Sequence, residues 1–368
     1  MTPPTAMRAN KPEPHAGKVR LMLVDDSMVI RTLVARWIEL EPDFELTGVA
    51  ADGAEAVQML PGLQADVCVL DLEMPVMGGM EALPRLLRLR PELKVLIASR
   101  LTRAGAEATL RALDAGAADC LPKPKAADPH GSEIFRRDLL AKARALARSD
   151  VKASPSRTLR PAARPRLRPQ GSRLEPIEVM VVAASTGGPL ALRSFLQGLD
   201  RDFRAPVLVV QHMPEAFIEL LADQLTKISP MPVSVAADGQ FLDPRRVYLA
   251  PGGRHLRLVR EGVRLRARLG DEPAENYCRP AADVLFRSAA EVCRGKVLAV
   301  VLTGMGQDGC KGADAIVKAG GAVLAQDEAT SVVWGMPGAV AAAGLATEVA
   351  PVERLAEMAT ALAAGRKA

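Results

Sequence analysis

Between Val151 and Pro176 the 368-residue chain contains a stretch from which no hydrophobic core can be built. Five prolines, Pro155, Pro161, Pro165, Pro169 and Pro176, deny it helix and ladder hydrogen bonds. Seven cations repel one another there (Lys152, Arg157, Arg160, Arg164, Arg166, Arg168 and Arg173), against Glu175 as the one anion. Such a tract separates folded units, and a chain of this length is long for one core. The expected division is a disordered extension over 1–18, a first domain over 19–148, a Pro/Arg-rich linker over 149–176 and a second domain over 177–368. The tract also accounts for the sequence pI near 9.0. Its net positive charge exceeds the formal +5 of the whole chain, so the remainder is slightly acidic. A basic, proline-rich segment of this kind keeps a linker extended, and no nucleic-acid partner is expected from it.

On both sides of the tract, short apolar runs bounded by Gly, Pro and Asp alternate with amphipathic stretches. The first half carries VRLMLVDD, ELTGVAAD, ADVCVLDLEMP, LKVLIASR and AADCLPKP, with helical segments such as MVIRTLVARWIEL between them. This predicts an α/β domain with a five-stranded parallel sheet covered on both faces. The second half carries IEVMVVAAS, RAPVLVVQHM, RRVYLAPGG, KVLAVVLTGMG and AVLAQDE, with a hairpin over HLRLVREGVRLRAR. It predicts a larger, mostly parallel sheet with one antiparallel excursion. No apolar run has the roughly 18 residues that cross a bilayer, and the polar N-terminal stretch lacks a signal-peptide core. Cys68, Cys120, Cys278, Cys293 and Cys310 form no CxxC pair. A reducing, cytoplasmic setting is expected, with no embedding in the membrane.

In the first half, Asp25 and Asp26 close the first strand and Asp71 the third. Strand ends of a parallel sheet face one crevice, where carboxylates repel and call for a cation such as Mg²⁺. Ser99 ends the fourth strand and Lys123 the fifth, where they suit a phosphoryl group. These residues resemble the receiver domain of two-component response regulators, a flavodoxin-like five-stranded fold. The resemblance implies phosphorylation of Asp71, with Mg²⁺ held by Asp26, Asp71, the Glu73 carbonyl and, through water, Asp25. It further implies Ser99 and Lys123 as phosphoryl sensors and a cis Lys123–Pro124 peptide. Arg100 stands where a small residue normally follows the sensing hydroxyl, and Cys120 where an aromatic is common.

In the second half, EVMVVAASTGGPLALRSFLQGL reads as strand, glycine turn, helix, with Ser185 at the turn. Alone, such a turn favours a phosphate cradle or a mere helix cap over a nucleophile. His212 ends the next strand and Asp308 follows the strand KVLAVVL, so all three belong at one sheet edge. Serine hydrolysis needs a base for the hydroxyl, a carboxylate for the imidazole and donors for the oxyanion. His255 is the competing histidine, and the reading gives it a loop or substrate-side place.

ASTGGP, VVQHMP, YLAPGGRHL, RPAADVLF, LTGMGQDG and VVWGMPGAV together resemble the chemotaxis protein-glutamate methylesterases, the CheB family. The resemblance implies a doubly wound α/β methylesterase domain with Ser185, His212 and Asp308 as the triad. Thr186 and the Met305 N–H would stabilise the oxyanion, and ester hydrolysis would need no cofactor. It implies demethylation of glutamate γ-methyl esters, and deamidation of glutamine, on methyl-accepting chemotaxis receptors. A chemotaxis histidine kinase would be the phosphodonor, and the receiver would inhibit until phosphorylated. Ala183 and Cys278 replace a glycine and a histidine common in the family. A receiver-controlled transcription factor would need a helix-turn-helix after the linker, and the strand-rich second half offers none. A catalytically silent receptor-binding module is the other alternative, separated by the effect of a Ser185 substitution on hydrolysis.

Overall fold

The computed structural model describes residues 17–124, 128–148 and 176–365. The expected extension over 1–18 and linker over 149–176 thus lie almost wholly outside the described residues. The first unit alternates β1 (Val19–Val24), α1 (Met28–Glu39), β2 (Phe44–Ala50), α2 (Gly53–Met59), β3 (Val67–Asp71), α3 (Gly79–Leu89), β4 (Lys94–Ser99), α4 (Arg103–Asp114), β5 (Asp119–Pro122) and α5 (Pro129–Arg148). Its five strands are parallel in the order β2-β1-β3-β4-β5. β3 is buried at every position, as a strand covered by helices on both faces must be. Helix starts are set by side chains that accept orphan N–H groups: Ser27 from Ile30, Asp52 from Ala54 and Glu55, and Thr102 from Gly105.

The second unit is built from β6 (Val179–Ala184), α6 (Gly188–Gln197), β7 (Val207–Gln211), α7 (Glu215–Ile228), β8 (Val233–Val235), β9 (Val247–Leu249), β10 (His255–Glu261), β11 (Arg264–Gly270), α8 (Ala282–Cys293), β12 (Val297–Val301), α9 (Cys310–Lys318), β13 (Ala322–Gln326), α10 (Met336–Ala342), β14 (Glu348–Ala350) and α11 (Val352–Ala363). Seven strands form one sheet in the order β14-β13-β12-β6-β7-β9-β8, with every pairing parallel. The expected antiparallel excursion is corrected here. β10 and β11 form a separate two-stranded ribbon packed on α8, and β11 also bridges to Phe241, outside the main sheet. The sequence reading also passes over β8 and β14, three-residue strands at the two edges. So short a run carries too few positions to display a period.

The two units are in direct contact. α4 packs against α6 and α7. Leu110 and Leu113 of α4 line one cavity with Leu221, Leu225 and Ile228 of α7. At its rim, Arg193 and Asp114 form an exposed ion pair at 2.8 Å.

Candidate active site

In the larger sheet, the strand order reverses between β12 and β6: from β6 the chain adds β7 on one side, and later strands β12, β13 and β14 on the other. Ligands of open α/β sheets bind outside the strand C-termini at such a point. Ser185 follows β6, His212 follows β7 and Asp308 follows β12, so the topology brings the three expected residues to this edge. The turn after β6 is tightly specified. The Ser185 N–H donates to the Thr303 carbonyl at 3.0 Å, and the Gly188 N–H returns to the Ser185 carbonyl at 2.7 Å. Gly187 has φ 75°, and a Cβ on Gly188 would come within 2.0 Å of Gln211 Oε1. The positive φ favours glycine at 187, and a side chain at 188 would have to displace the Gln211 amide. The buried Gln211 amide also donates to the Ser185 carbonyl at 3.0 Å.

His212 Nε2 lies 2.8 Å from Asp308 Oδ2. Asp308 is almost fully buried and takes three further donors. The Ala282 N–H reaches Oδ2 at 2.6 Å, while Asn276 Nδ2 and the Asp283 N–H reach Oδ1 at 2.9 and 3.1 Å. Two of these donors belong to the first turn of α8, whose positive dipole end favours a carboxylate. Burial alone would raise the Asp308 pKa. The His212 hydrogen bond and the α8 N–H groups outweigh it and hold the carboxyl below its usual range. For His212, burial works to lower the pKa, but Asp308 and Cys278 outweigh it and lift it to about 10. Each partner thus favours the charged form of the other.

The sequence reading took Cys278 only as a replacement for a family histidine, away from the triad, and the structure corrects this. The cysteine Sγ sits 3.6 Å from His212 Nδ1, the ring nitrogen that Asp308 leaves free. Cys278 is delivered by a two-residue turn in which Glu275 and Cys278 exchange both backbone hydrogen bonds. Asn276 and Tyr277 at its centre have φ 52° and 63°. That conformation is costly for a bulky side chain and is found where surrounding structure enforces it. Here the Asn276 bonds to Asp308 and Asp283 and the Glu275–Arg287 ion pair at 2.6 Å do so. His255, the competing histidine, is structural. It is buried, its Nδ1 accepts from the Ala281 N–H, and its Nε2 meets the Pro273 carbonyl.

Thr186 is fully buried, and its hydroxyl donates to Asp119 Oδ2 of the first unit at 2.6 Å. The same carboxylate oxygen meets Lys142 Nζ of α5 at 2.7 Å. Met305 and Val332, beside the Ser185 turn, pack into the cluster that holds Phe135 and Leu139 of α5. Arg137 of α5 lies over the Tyr277 ring at 5.7 Å. The first unit therefore covers the edge on which Ser185, His212 and Asp308 converge.

In the first unit, Asp25, Asp26 and Asp71 present carboxylate oxygens within 4.8 Å of one another. Lys123 Nζ lies 2.6 Å from both Asp25 Oδ2 and Asp71 Oδ2. Burial pushes the Asp71 carboxyl up, against the pull of Lys123. An all-oxygen donor set of this kind suits Mg²⁺. Ser99 is buried and accepts from the Thr109 hydroxyl at 2.7 Å. Arg100 turns outward and pairs with the Glu73 carboxylate at 2.9 Å. The expected cis Lys123–Pro124 bond is corrected: among the described residues the cis peptide is Arg279–Pro280.

Residues 180–359 match the CheB methylesterase family model, and residues 21–130 match that of the response regulator receiver domain. A protein-glutamate methylesterase/protein-glutamine glutaminase of Caulobacter vibrioides is 49% identical over 92% of this chain and 96% of its own length. A counterpart from Rhodopseudomonas palustris is 43% identical over 95% of this chain and 94% of its own. The crystal structure of the Thermotoga maritima CheB methylesterase catalytic domain matches with a TM-score of 0.50 and 40% identity, over 50% of this chain and 98% of that one.

Proposed function

The chain belongs to the CheB methylesterase family, and on that premise we propose that it is a receiver-controlled serine hydrolase acting on receptor glutamate γ-methyl esters. The observation that carries the reading is the His212–Asp308 pair at 2.8 Å, adjoining the Ser185 turn at one sheet edge. Ser185 Oγ attacks the ester carbonyl and His212 takes its proton. Asp308, fixed by four donors, holds the imidazole and balances its charge. The tetrahedral oxyanion is met by Thr186 and the Met305 N–H. His212 returns the proton to the leaving methoxide, which departs as methanol. Water, deprotonated by His212, then releases glutamate and Ser185. Glutamine follows the same course with ammonia as the leaving group. No cofactor is assigned to this chemistry.

The receiver domain implies Mg²⁺-dependent phosphorylation. Asp71 is the proposed acceptor, and Asp26, Asp71, the Glu73 carbonyl and Asp25 are the proposed metal ligands. A Mg²⁺ ion held by these residues would supply positive charge to offset that of the phosphoryl group. Lys123 is drawn between Asp25 and Asp71 and is placed to neutralise added negative charge, while Ser99 offers a hydroxyl at the neighbouring strand end. A chemotaxis histidine kinase is the proposed donor, methyl-accepting chemotaxis receptors are the proposed substrates, and the cytoplasm is the proposed compartment. Among the described residues no helix is long and apolar enough to cross a membrane.

The receiver restrains the hydrolase while docked. Asp119 engages the Thr186 hydroxyl that the oxyanion needs, and α5 lies over the strand edge. Asp119 begins β5, the strand that leads into Lys123, so a change at the phosphorylation site has a short path to the interface. The test is release of labelled methanol from methylated receptor membranes. Ser185→Ala should lower it by about 10⁴-fold or more while phosphorylation persists. Activity within a few-fold of the parent would remove serine from the mechanism.

A further inference from the structure

Cys278 has no part in the proposed hydrolysis, yet its thiol is held against the nitrogen of His212 that the reaction requires. Asp308 Oδ2 engages His212 Nε2 at 2.8 Å. An ionised carboxylate only accepts, so Nε2 carries a proton and Nδ1 is the position left to bind a Lewis acid. Cys278 Sγ stands 3.6 Å from that nitrogen. A tetrahedral zinc ion with Zn–S near 2.3 Å and Zn–N near 2.0–2.1 Å sets its sulfur and nitrogen ligands roughly 3.6 Å apart. The two atoms therefore already stand at the edge length of such a coordination sphere. His212, Cys278 and Asp308 each have a donor atom within 4.8 Å of the others.

The surroundings also fit. A metal-binding histidine is commonly oriented by a carboxylate on its other nitrogen, and Asp308 holds that position with three additional donors fixing it. The enforced turn over Glu275–Cys278 presents the sulfur. Cys278 and His212 are both partly exposed, which leaves room for entry and for water ligands. A sulfur–nitrogen pair selects borderline-soft cations, whereas the Asp25–Asp26–Asp71 pocket offers oxygen and suits magnesium.

We propose that Cys278 Sγ and His212 Nδ1 form a zinc-binding site, and that its occupancy silences the hydrolase by taking the nitrogen Ser185 depends on. The binding stands on the geometry alone; the silencing rests on the proposed role of His212. The experiment uses metal-free full-length protein titrated with Co²⁺, read by thiolate-to-cobalt charge-transfer absorption in the near ultraviolet. One equivalent should produce the band, and Zn²⁺ should displace it. Cys278→Ser should abolish the band and weaken zinc binding by about tenfold or more. Cys278→His should keep cobalt binding without the band, which distinguishes an altered ligand from a misfolded chain. Saturating zinc should slow ester hydrolysis by the parent about tenfold or more, and by Cys278→Ser less than about twofold, each against its own metal-free rate. A parent without the band, or a band that survives Cys278→Ser, overturns the site. A band that depends on Cys278 beside zinc-insensitive hydrolysis overturns the silencing. Cobalt binding in a metal-free parent that hydrolyses nothing supports the site and faults the functional reading instead.

Discussion

Asp119→Ala should partly release the hydrolase without phosphorylation. The Asp119 carboxylate is buried and is shared between Thr186 Oγ1 at 2.6 Å across the interface and Lys142 Nζ at 2.7 Å within the receiver. A hydrogen bond to a charged group contributes about 1.5–3 kcal/mol. Losing it from the docked form alone shifts the docking equilibrium by roughly 10- to 150-fold, because every 1.4 kcal/mol is a factor of about ten. Lys142 still donates to the Cys120 carbonyl at 2.8 Å, so the receiver keeps one tie between α5 and β5. The rate of a fragment beginning near Glu175, which lacks the receiver, sets the ceiling. The assay is methanol release from methylated receptor membranes by parent, variant and fragment, all without a phosphodonor. The variant should exceed the parent by about tenfold or more, or reach the fragment's rate if that comes first. A variant within twofold of the parent, beside a much faster fragment, would show that the Thr186–Asp119 contact does not hold the domains together.

His212→Ala should be about as damaging as Ser185→Ala and the double variant hardly worse, since the two act as a unit. His255→Ala should instead lower thermal stability, because it unpairs the buried Ala281 N–H and Pro273 carbonyl; a larger rate loss than with His212→Ala would reverse the assignment. Asp71→Asn should abolish labelling by a small phosphodonor, and the parent should require Mg²⁺ for that labelling; persistent labelling moves the acceptor elsewhere. With His212 lifted to about 10, the neutral base grows as pH rises, so kcat/KM of the docked full-length protein should climb about tenfold per unit from pH 7 and bend near 10. Asp308→Asn removes the charge that lifts it and should move the bend downward; a flat profile above pH 7 would contradict this.

Much of the site was legible because parallel strands end in one crevice. Asp25, Asp71, Ser99 and Lys123 each stand at or next to a strand end, and so do Ser185 and His212. A residue's place in the strand pattern is therefore its place in the site. The histidine question was open in the sequence, since two polar-flanked histidines follow strands or begin them. The two differ in their partners: His255 meets backbone groups at both nitrogens, while His212 engages Asp308 through one.

The residues alone established two α/β units, their strand composition and the chemistry of each strand end, because alternation, proline and glycine act over a few neighbouring positions. The tertiary structure decided which distant groups share a partner. Thr186 meets Asp119 across 67 positions, and His212 meets Cys278 across 66. Neither contact leaves a periodic trace, since each depends on how separate elements dock. The same holds for the β10–β11 hairpin, whose alternation announced an antiparallel pair but not whether it joined the main sheet. Strand propensity is a local property. Packing of the ribbon onto α8, and of the receiver onto the hydrolase edge, is settled by which apolar faces remain to be covered.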